Sequence, residues 1–329
     1  MCQLSPIASS DFWAEKEVLV TGASGFAGRN LCVHLSRLGA RVRCFARNKN
    51  DLPLDLHNVS LRIGDVLDYQ SLLEALENVD ISFHLAAITL IPETRAKIFN
   101  TFATNSLGTL NFLMAAKARG VSRMVYVSTC HVYGRQAKFP ITEDTAPKPI
   151  DIYSASKLSG ESLALSFAEM YGMNISISRA FNHYGPYQRP DFLVPSIIHK
   201  ILRHEKLAMG NPTPTRDYCF VDDIADGYVL LAEKGATSEI YHFSSGIERS
   251  VKEVAESVKK ASGVESEIAW NPTARPVDIP RSVGDSSKAR RDLGWRPHTS
   301  FEDGMKKTVA WYRSQLESRS TEMIHVPNA

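Results

Sequence analysis

The residues that most constrain this chain lie near its start. A short apolar run, Glu17-Val-Leu-Val-Thr21, ends abruptly in Gly22-Ala-Ser24-Gly25-Phe26-Ala27-Gly28, and an amphipathic helical pattern over Arg29–Leu38 follows at once. Glycines in a strand-to-helix turn let the backbone approach a bulky anion. The unpaired N–H groups and the dipole of the helix start then favour its negative charge. A turn so placed suits the pyrophosphate of a dinucleotide, although the spacing here is GxxGxxG rather than the more usual GxGxxG.

The pattern that opens this way continues. Apolar runs of strand length at Arg41–Ala46, Val59–Gly64, Ile81–Leu85, Arg123–Ser128 and Asn174–Arg179 alternate with helical patterns at Ser71–Leu76, Asn105–Arg119 and Ser154–Met170. Strands alternating with helices predict a parallel sheet covered on both faces, a doubly wound α/β (Rossmann) fold. Beyond Arg179 the chain turns rich in Gly and Pro, then offers a strand at Tyr241–Ser245 and helices at Val251–Ala261 and Phe301–Leu316. We expect a Rossmann domain from 1–180 and 217–247, with a smaller α/β lobe from 181–216 and 248–329 leaning over the strand ends. In such folds that is where ligands bind. About fifteen residues at the N-terminus and the last eight read as loosely held.

Composition removes several classes of function. With 38 Lys+Arg against 36 Asp+Glu the chain is too balanced to suggest nucleic acid or an anionic membrane as partner. Its five cysteines include no CxxC and its ten histidines no HExxH, so neither a metal nor a disulfide framework is expected, and the pattern fits a reducing, cytoplasmic setting. No secretory leader or membrane-spanning run is apparent.

Two features point to chemistry. Tyr153-Ser-Ala-Ser-Lys157 puts a phenol and an ammonium four residues apart on one helical face. The phenol is a poor acid/base at its ordinary pKa of ~10, and a neighbouring positive charge lowers that value. Ser128 and Thr129 end the preceding strand and place hydroxyls within reach of the same substrate oxygen. At the end of the second strand stands Arg47, where an acid would bind ribose hydroxyls and an arginine accommodates a 2′-phosphate. This tilts expectation toward NADP(H), with NAD(H) open. Asp65 is placed to receive an adenine amino group.

The glycine turn, the strand-end hydroxyl and YxxxK, in this order and spacing, resemble the short-chain dehydrogenase/reductases. Further stretches resemble the extended branch of that family, the nucleotide-sugar epimerases and dehydratases: Asn105–Asn111, Arg179–Pro186, Thr215–Asp223, Arg275–Asp278 and Gly284–Trp295. The resemblance implies that Thr129, assisted by Ser128, Tyr153 and Lys157 are catalytic. It implies that Gly22 to Gly28, Asp65, Val66, Leu85, Ala86, Ala87 and Asn105 line the cofactor, with Lys157 on its ribose. Asn182, Arg216, Arg275 and Asp278 would meet a GDP-, UDP- or dTDP-hexose, the arginines gripping its diphosphate. A homodimer built on Asn105–Arg119 and Ser154–Met170 is the implied assembly.

Family dehydratases carry an acidic pair after the catalytic threonine, where this chain has Cys130 and His131. Hydride chemistry at C4 of the hexose is therefore expected, as 4-keto reduction or C4 epimerisation. A modified dehydration or epimerisation with Cys130 or His131 as the C5 base stays open, as does a cofactor-sensing protein without catalysis.

Overall fold

The computed structural model describes residues 9–49, 52, 55–272 and 278–324. After a short helix α1 (Ser10–Trp13), the chain alternates β1 (Glu17–Thr21), α2 (Phe26–Arg37), β2 (Arg41–Ala46), β3 (Val59–Ile63), α3 (Tyr69–Ala75) and β4 (Ile81–His84). Helices α4 (Ile91–Ala96), α5 (Ile98–Phe102) and α6 (Gly108–Arg119) lead to β5 (Arg123–Val127), α7 (Ile152–Tyr171) and β6 (Ile175–Ala180). There follow β7 (Asn182–Tyr184), α8 (Leu193–Leu202), β8 (Leu207–Met209), β9 (Thr215–Phe220), α9 (Val221–Lys234), β10 (Ile240–Phe243) and β11 (Glu248–Ser250). The chain closes with α10 (Val251–Ser262), β12 (Ile268–Trp270), β13 (Arg281–Ser282), α11 (Ser287–Leu293) and α12 (Phe301–Ile324).

Seven parallel strands form the main sheet in the order β10-β6-β5-β4-β1-β2-β3. The order reverses between β1 and β4, which opens a crevice at their carboxyl ends. Along β1 the pleat sends Val18 and Val20 to one face, with Leu31 and Leu35 of α2 and Tyr228 and Leu231 of α9. Leu19 goes to the other, with Phe112 of α6 and Ala164 of α7. Both faces of β1 are dry, which is why it reads as a continuous apolar run, whereas the edge strand β3 is largely exposed. A second sheet, β11-β9-β13 with β7 on β9, packs with α8, α10 and α12 around Tyr184, Ile197, Val254 and Met305.

The start is held more firmly than the sequence suggests, whereas 325–329 lie outside the described residues. Trp13 is fully buried and stacks on Phe83 of β4, its ring centroid 6.3 Å away, and α12 continues past Leu316. Two adjacent aromatics, Phe12 and Trp13, in a polar stretch give no periodic signal, so only their packing reveals which is buried.

His34 of α2 lies buried against α9, its ring nitrogens 3.3 Å from Asp226 and 3.6 Å from Asp222. Burial opposes its charge, but hydrogen bonding to Asp222 and Asp226 outweighs that and lifts the imidazole to about 9. Because the folded value exceeds the unfolded one of ~6.5, the stabilisation is complete below that pH and is lost as pH rises through the folded value. Unfolding free energy is expected to fall by roughly 3 kcal/mol across this window from this group. Denaturant titrations at stepped pH check it, and His34→Gln should flatten the slope.

Candidate functional site

The glycine turn closes on itself at the β1–β4 switch point. Gly22 has φ +67°, and a Cβ there would stand 2.8 Å from the Ala86 nitrogen. A Cβ on Gly28 would stand 2.2 Å from the Gly22 carbonyl oxygen. The α2 helix starts at Phe26, with Gly25 as N-cap and no side chain capping it, so its first N–H groups face the crevice unclaimed. This cradle, narrow where a Cβ would fill it and lined by free donors, fits the pyrophosphate of a nicotinamide dinucleotide. Arg47 is exposed at the carboxyl end of β2. Arg29 instead stacks its guanidinium on Tyr187, 3.9 Å from the ring centroid.

The β4 loop is fixed from two sides. The Thr21 hydroxyl accepts from the Leu85 and Ala86 nitrogens, both at 3.2 Å, and pairs with His84 Nδ1 at 2.8 Å. Asn105 accepts from the Ile88 nitrogen at 2.8 Å and donates to the Ile88 carbonyl and to Ser156 Oγ at 3.0 and 2.9 Å. Its amide is thus spent on joining the β4 loop to α7 rather than left for a cofactor. A π-helical turn, Ala103–Leu107, carries Asn105 between α5 and α6. The helix therefore begins well before the residue at which periodicity placed its start. Asp65 accepts from the Leu67 nitrogen at 2.9 Å, and Val66 is buried where a Cβ on Gly108 would meet it at 2.6 Å.

Asp151 caps α7 by accepting from the Ser154 nitrogen at 2.8 Å, which sets Tyr153 in the first turn. One turn on, Lys157 is buried with its ammonium 4.2 Å from the centroid of the Tyr126 ring. A Cβ on Gly160 would lie 2.1 Å from the Tyr126 oxygen, so α7 sits hard against β5. Burial pushes the Tyr153 phenol up, while hydrogen bonding to Thr129 acts the other way. Burial pushes Lys157 down to about 7, opposed by the Glu161 charge.

Thr129, Cys130 and His131 begin a short 3₁₀ turn, Cys130–Tyr133, in which Thr129 Oγ1 accepts from the His131 nitrogen at 3.2 Å. The turn sends the next two side chains apart. His131 meets Tyr153 edge-on, with centroids 5.9 Å apart, and its Nδ1 is buried with no partner among the described residues. Burial and then the Arg216 charge hold this imidazole low. Cys130 turns to Ser282, and burial pushes its thiol up to about 12, so it offers no base at neutral pH. The Ser128 hydroxyl and Asn182 Oδ1 are likewise buried without partners, as polar atoms awaiting a ligand would be.

Arg216 and Asp278 pair with each other at 3.1 Å, and Arg216 also donates to the Thr215 carbonyl at 2.8 Å. Arg275 lies outside the described residues. The Asn182 segment is tied to the cofactor helix: His183 stacks on Phe26 at 5.3 Å, and Asn30 donates to the Pro186 carbonyl at 3.2 Å. One group escaped the sequence reading. Glu161 and Arg179 form a buried two-pronged ion pair behind Lys157. The continuation of YxxxK to Glu161 at the same four-residue interval was the available signal.

Together the switch-point crevice, the glycine cradle and the Thr129–Tyr153–Lys157 cluster define a nicotinamide-dependent enzyme of the extended short-chain dehydrogenase/reductase type. Comparison with known proteins makes this particular. The family model described as GDP-mannose 4,6 dehydratase matches residues 19–308, and the chain belongs to that family of NAD(P)-dependent nucleotide-sugar dehydratases, reductases and epimerases. The GDP-6-deoxy-D-mannose reductase of Pseudomonas aeruginosa is 31% identical over 312 residues, covering 92% of this chain and 98% of that protein. UDP-glucose 4-epimerase of Thermotoga maritima, solved with UDP-glucose, superposes with TM-score 0.86 at 29% identity, over 91% of this chain and 99% of that one. The dTDP-glucose 4,6-dehydratase DesIV of Streptomyces venezuelae, solved with NAD and TYD, gives 0.85 at 31% identity, over 92% and 98%. RMD from Pseudomonas aeruginosa, complexed with NADPH, gives 0.80 at 30%, over 91% and 99%. No helix among the described residues is long and apolar enough to cross a membrane.

Proposed function

We propose that this enzyme performs hydride chemistry at C4 of a nucleotide-linked hexose, with reduction of a 4-keto sugar as the lead form and C4 epimerisation as the other. The observation that carries the proposal is chemical. Thr129, Tyr153 and Lys157 are complete and clustered, while positions 130 and 131 supply a protonated thiol and a neutral imidazole instead of carboxylates. When bound, the nicotinamide ring donates or accepts the hydride. Tyr153 then gives or takes the O4 proton and Thr129 holds that oxygen. The Lys157 ammonium, beside the ribose, eases loss of the phenolic proton. Arg216 exchanges Asp278 for the sugar diphosphate, and Asn182 binds next to it. Arg47 favours NADP(H).

The test follows the absorbance of reduced nicotinamide when the protein meets NADPH and a GDP-4-keto-6-deoxyhexose, with Tyr153→Phe as control. Loss of NADPH matched to product supports the reductase. No loss, together with interconversion of C4 epimers of an unoxidised nucleotide-sugar, supports the epimerase.

A second reading rests on the orphaned Nδ1 of His131. An unprotonated imidazole beside the C4 carbonyl is able to take a proton from the adjacent carbon. Incubation of the 4-keto sugar in D₂O is then expected to wash deuterium into that position, and His131→Asn to slow the exchange by about 10²-fold or more. Absence of exchange in the wild type removes this reading.

The proposed assembly is a homodimer. Ile98, Phe99 and Phe102 of α5, Leu107, Met114 of α6 and Met170 of α7 are exposed, Phe99 by 82%. Isolated exposed apolar residues are ordinary, but six on neighbouring elements suit a covered face. Phe99→Asp is expected to convert the dimer to monomer in sedimentation velocity. A reducing, cytoplasmic setting is proposed from the cysteine pattern of the sequence, five residues with no CxxC.

A further inference from the structure

A file of buried polar groups leads away from Lys157 into the protein. Glu161, one turn beyond Lys157 on α7, is buried and accepts from Arg179 Nε at 3.0 Å and Nη2 at 2.6 Å. Arg179 of β6 also donates to the Tyr133 oxygen at 2.7 Å. Tyr133 therefore gives its own proton to His242 Nε2, 2.5 Å away, and the other ring nitrogen of His242 reaches the Asp285 carbonyl at 3.1 Å. Burial, followed by the Arg179 charge, holds His242 down at about 3, so that ring is neutral.

The groups facing Lys157 are few. On its own helix are Tyr153 and Glu161; on β5 is the Tyr126 ring; on β4 is His84, kept neutral by burial and then by the Lys157 charge. Facing Glu161 are Arg179 of β6, Tyr133 of the 3₁₀ turn and Tyr126. An ammonium in such surroundings loses its hydration and gains only a ring face in return. Among the described residues, Glu161 supplies the carboxylate one turn from it, and the two-pronged Arg179 contact fixes that carboxylate in place.

We propose that Glu161, held in place by Arg179, is a positioning residue whose carboxylate, one helical turn from Lys157, favours the ammonium form of Lys157 and so sets the upper edge of the pH range in which Tyr153 exchanges its proton. The Tyr153 half of this statement rests on the hydride chemistry proposed above; the Lys157 half does not. Sequence spacing places Glu161 on the right face, and the Arg179 contact holds its carboxylate there.

The test reads NADPH affinity by fluorescence across pH, alongside kcat/KM for the 4-keto sugar, in the wild type, Glu161→Gln, Glu161→Asp and the double variant Glu161→Gln/Arg179→Met. The double variant removes both buried charges and so keeps the fold testable where the single variant leaves an arginine unpaired. The alkaline limb of both profiles is expected to move down by about one pH unit or more in Glu161→Gln and in the double variant. Glu161→Asp, which retains the charge, should return it toward the wild-type position. A limb that stays in place in the folded double variant overturns the proposal. A shifted binding limb with no turnover of any sugar upholds the role of Glu161 and sinks the hydride reading instead.

Discussion

Tyr153→Phe is expected to lower kcat by about 10³-fold while leaving the fold and NADPH binding intact. General acid/base catalysis by one positioned side chain is worth roughly 10²–10⁴-fold. The substitution removes one oxygen and no packing surface. Tyr153 gains no structural role from its hydroxyl beyond the Thr129 contact, since the helix start is set by the Asp151 cap. Single-turnover NADPH oxidation with the variant, beside its circular dichroism and NADPH affinity, checks each part. Full activity in a variant that binds cofactor normally would mean that Tyr153 is not the acid/base of the reaction.

Gly28→Ala is expected to have the second largest effect, and by steric means alone. Its Cβ would stand 2.2 Å from the Gly22 carbonyl oxygen, and the neighbouring atoms are backbone that cannot rotate away. Relief requires opening the turn, which moves the free N–H groups of the α2 start away from the pyrophosphate. Overpacking of this kind costs about 1–3 kcal/mol. If most of it falls on the cradle, NADPH affinity drops by roughly a hundredfold. Fluorescence titration of NADPH and a denaturant midpoint separate the two contributions. A variant that binds NADPH like the wild type would mean that the cofactor does not use this turn.

The spacing of Tyr153 and Lys157 was legible because four residues on a helix is a local relation, and so was the glycine turn, which lies wholly between two adjacent elements. Strand β1 runs over the residues expected from the sequence, because a strand buried on both faces leaves an unbroken apolar run that ends in glycine, and β2 does so through its buried Val42 and Cys44–Ala46 although Arg41 and Arg43 interrupt it. Other features have no local signature. Arg216, expected at the diphosphate, and Asp278, expected on the nucleotide-sugar, turn out to hold one another across 62 positions of chain. Cys130 and His131 look equivalent in sequence, and a single 3₁₀ turn sends one to Ser282 and the other to Tyr153. Asn105, expected on the cofactor, is committed to the β4 loop and α7 because a π-turn rotates it inward.

By itself, then, the sequence determined the doubly wound sheet, the glycine turn and the Tyr153–Lys157 spacing, all of which follow from periodicity, glycine sterics and short-range helical geometry. The tertiary structure alone decided the ionisation of the site: which carboxylate stands behind Lys157, which thiol is silent, and which imidazole faces the tyrosine. Charge states are set by burial and by partners brought together from distant segments, and neither is a property of any residue's neighbours along the chain.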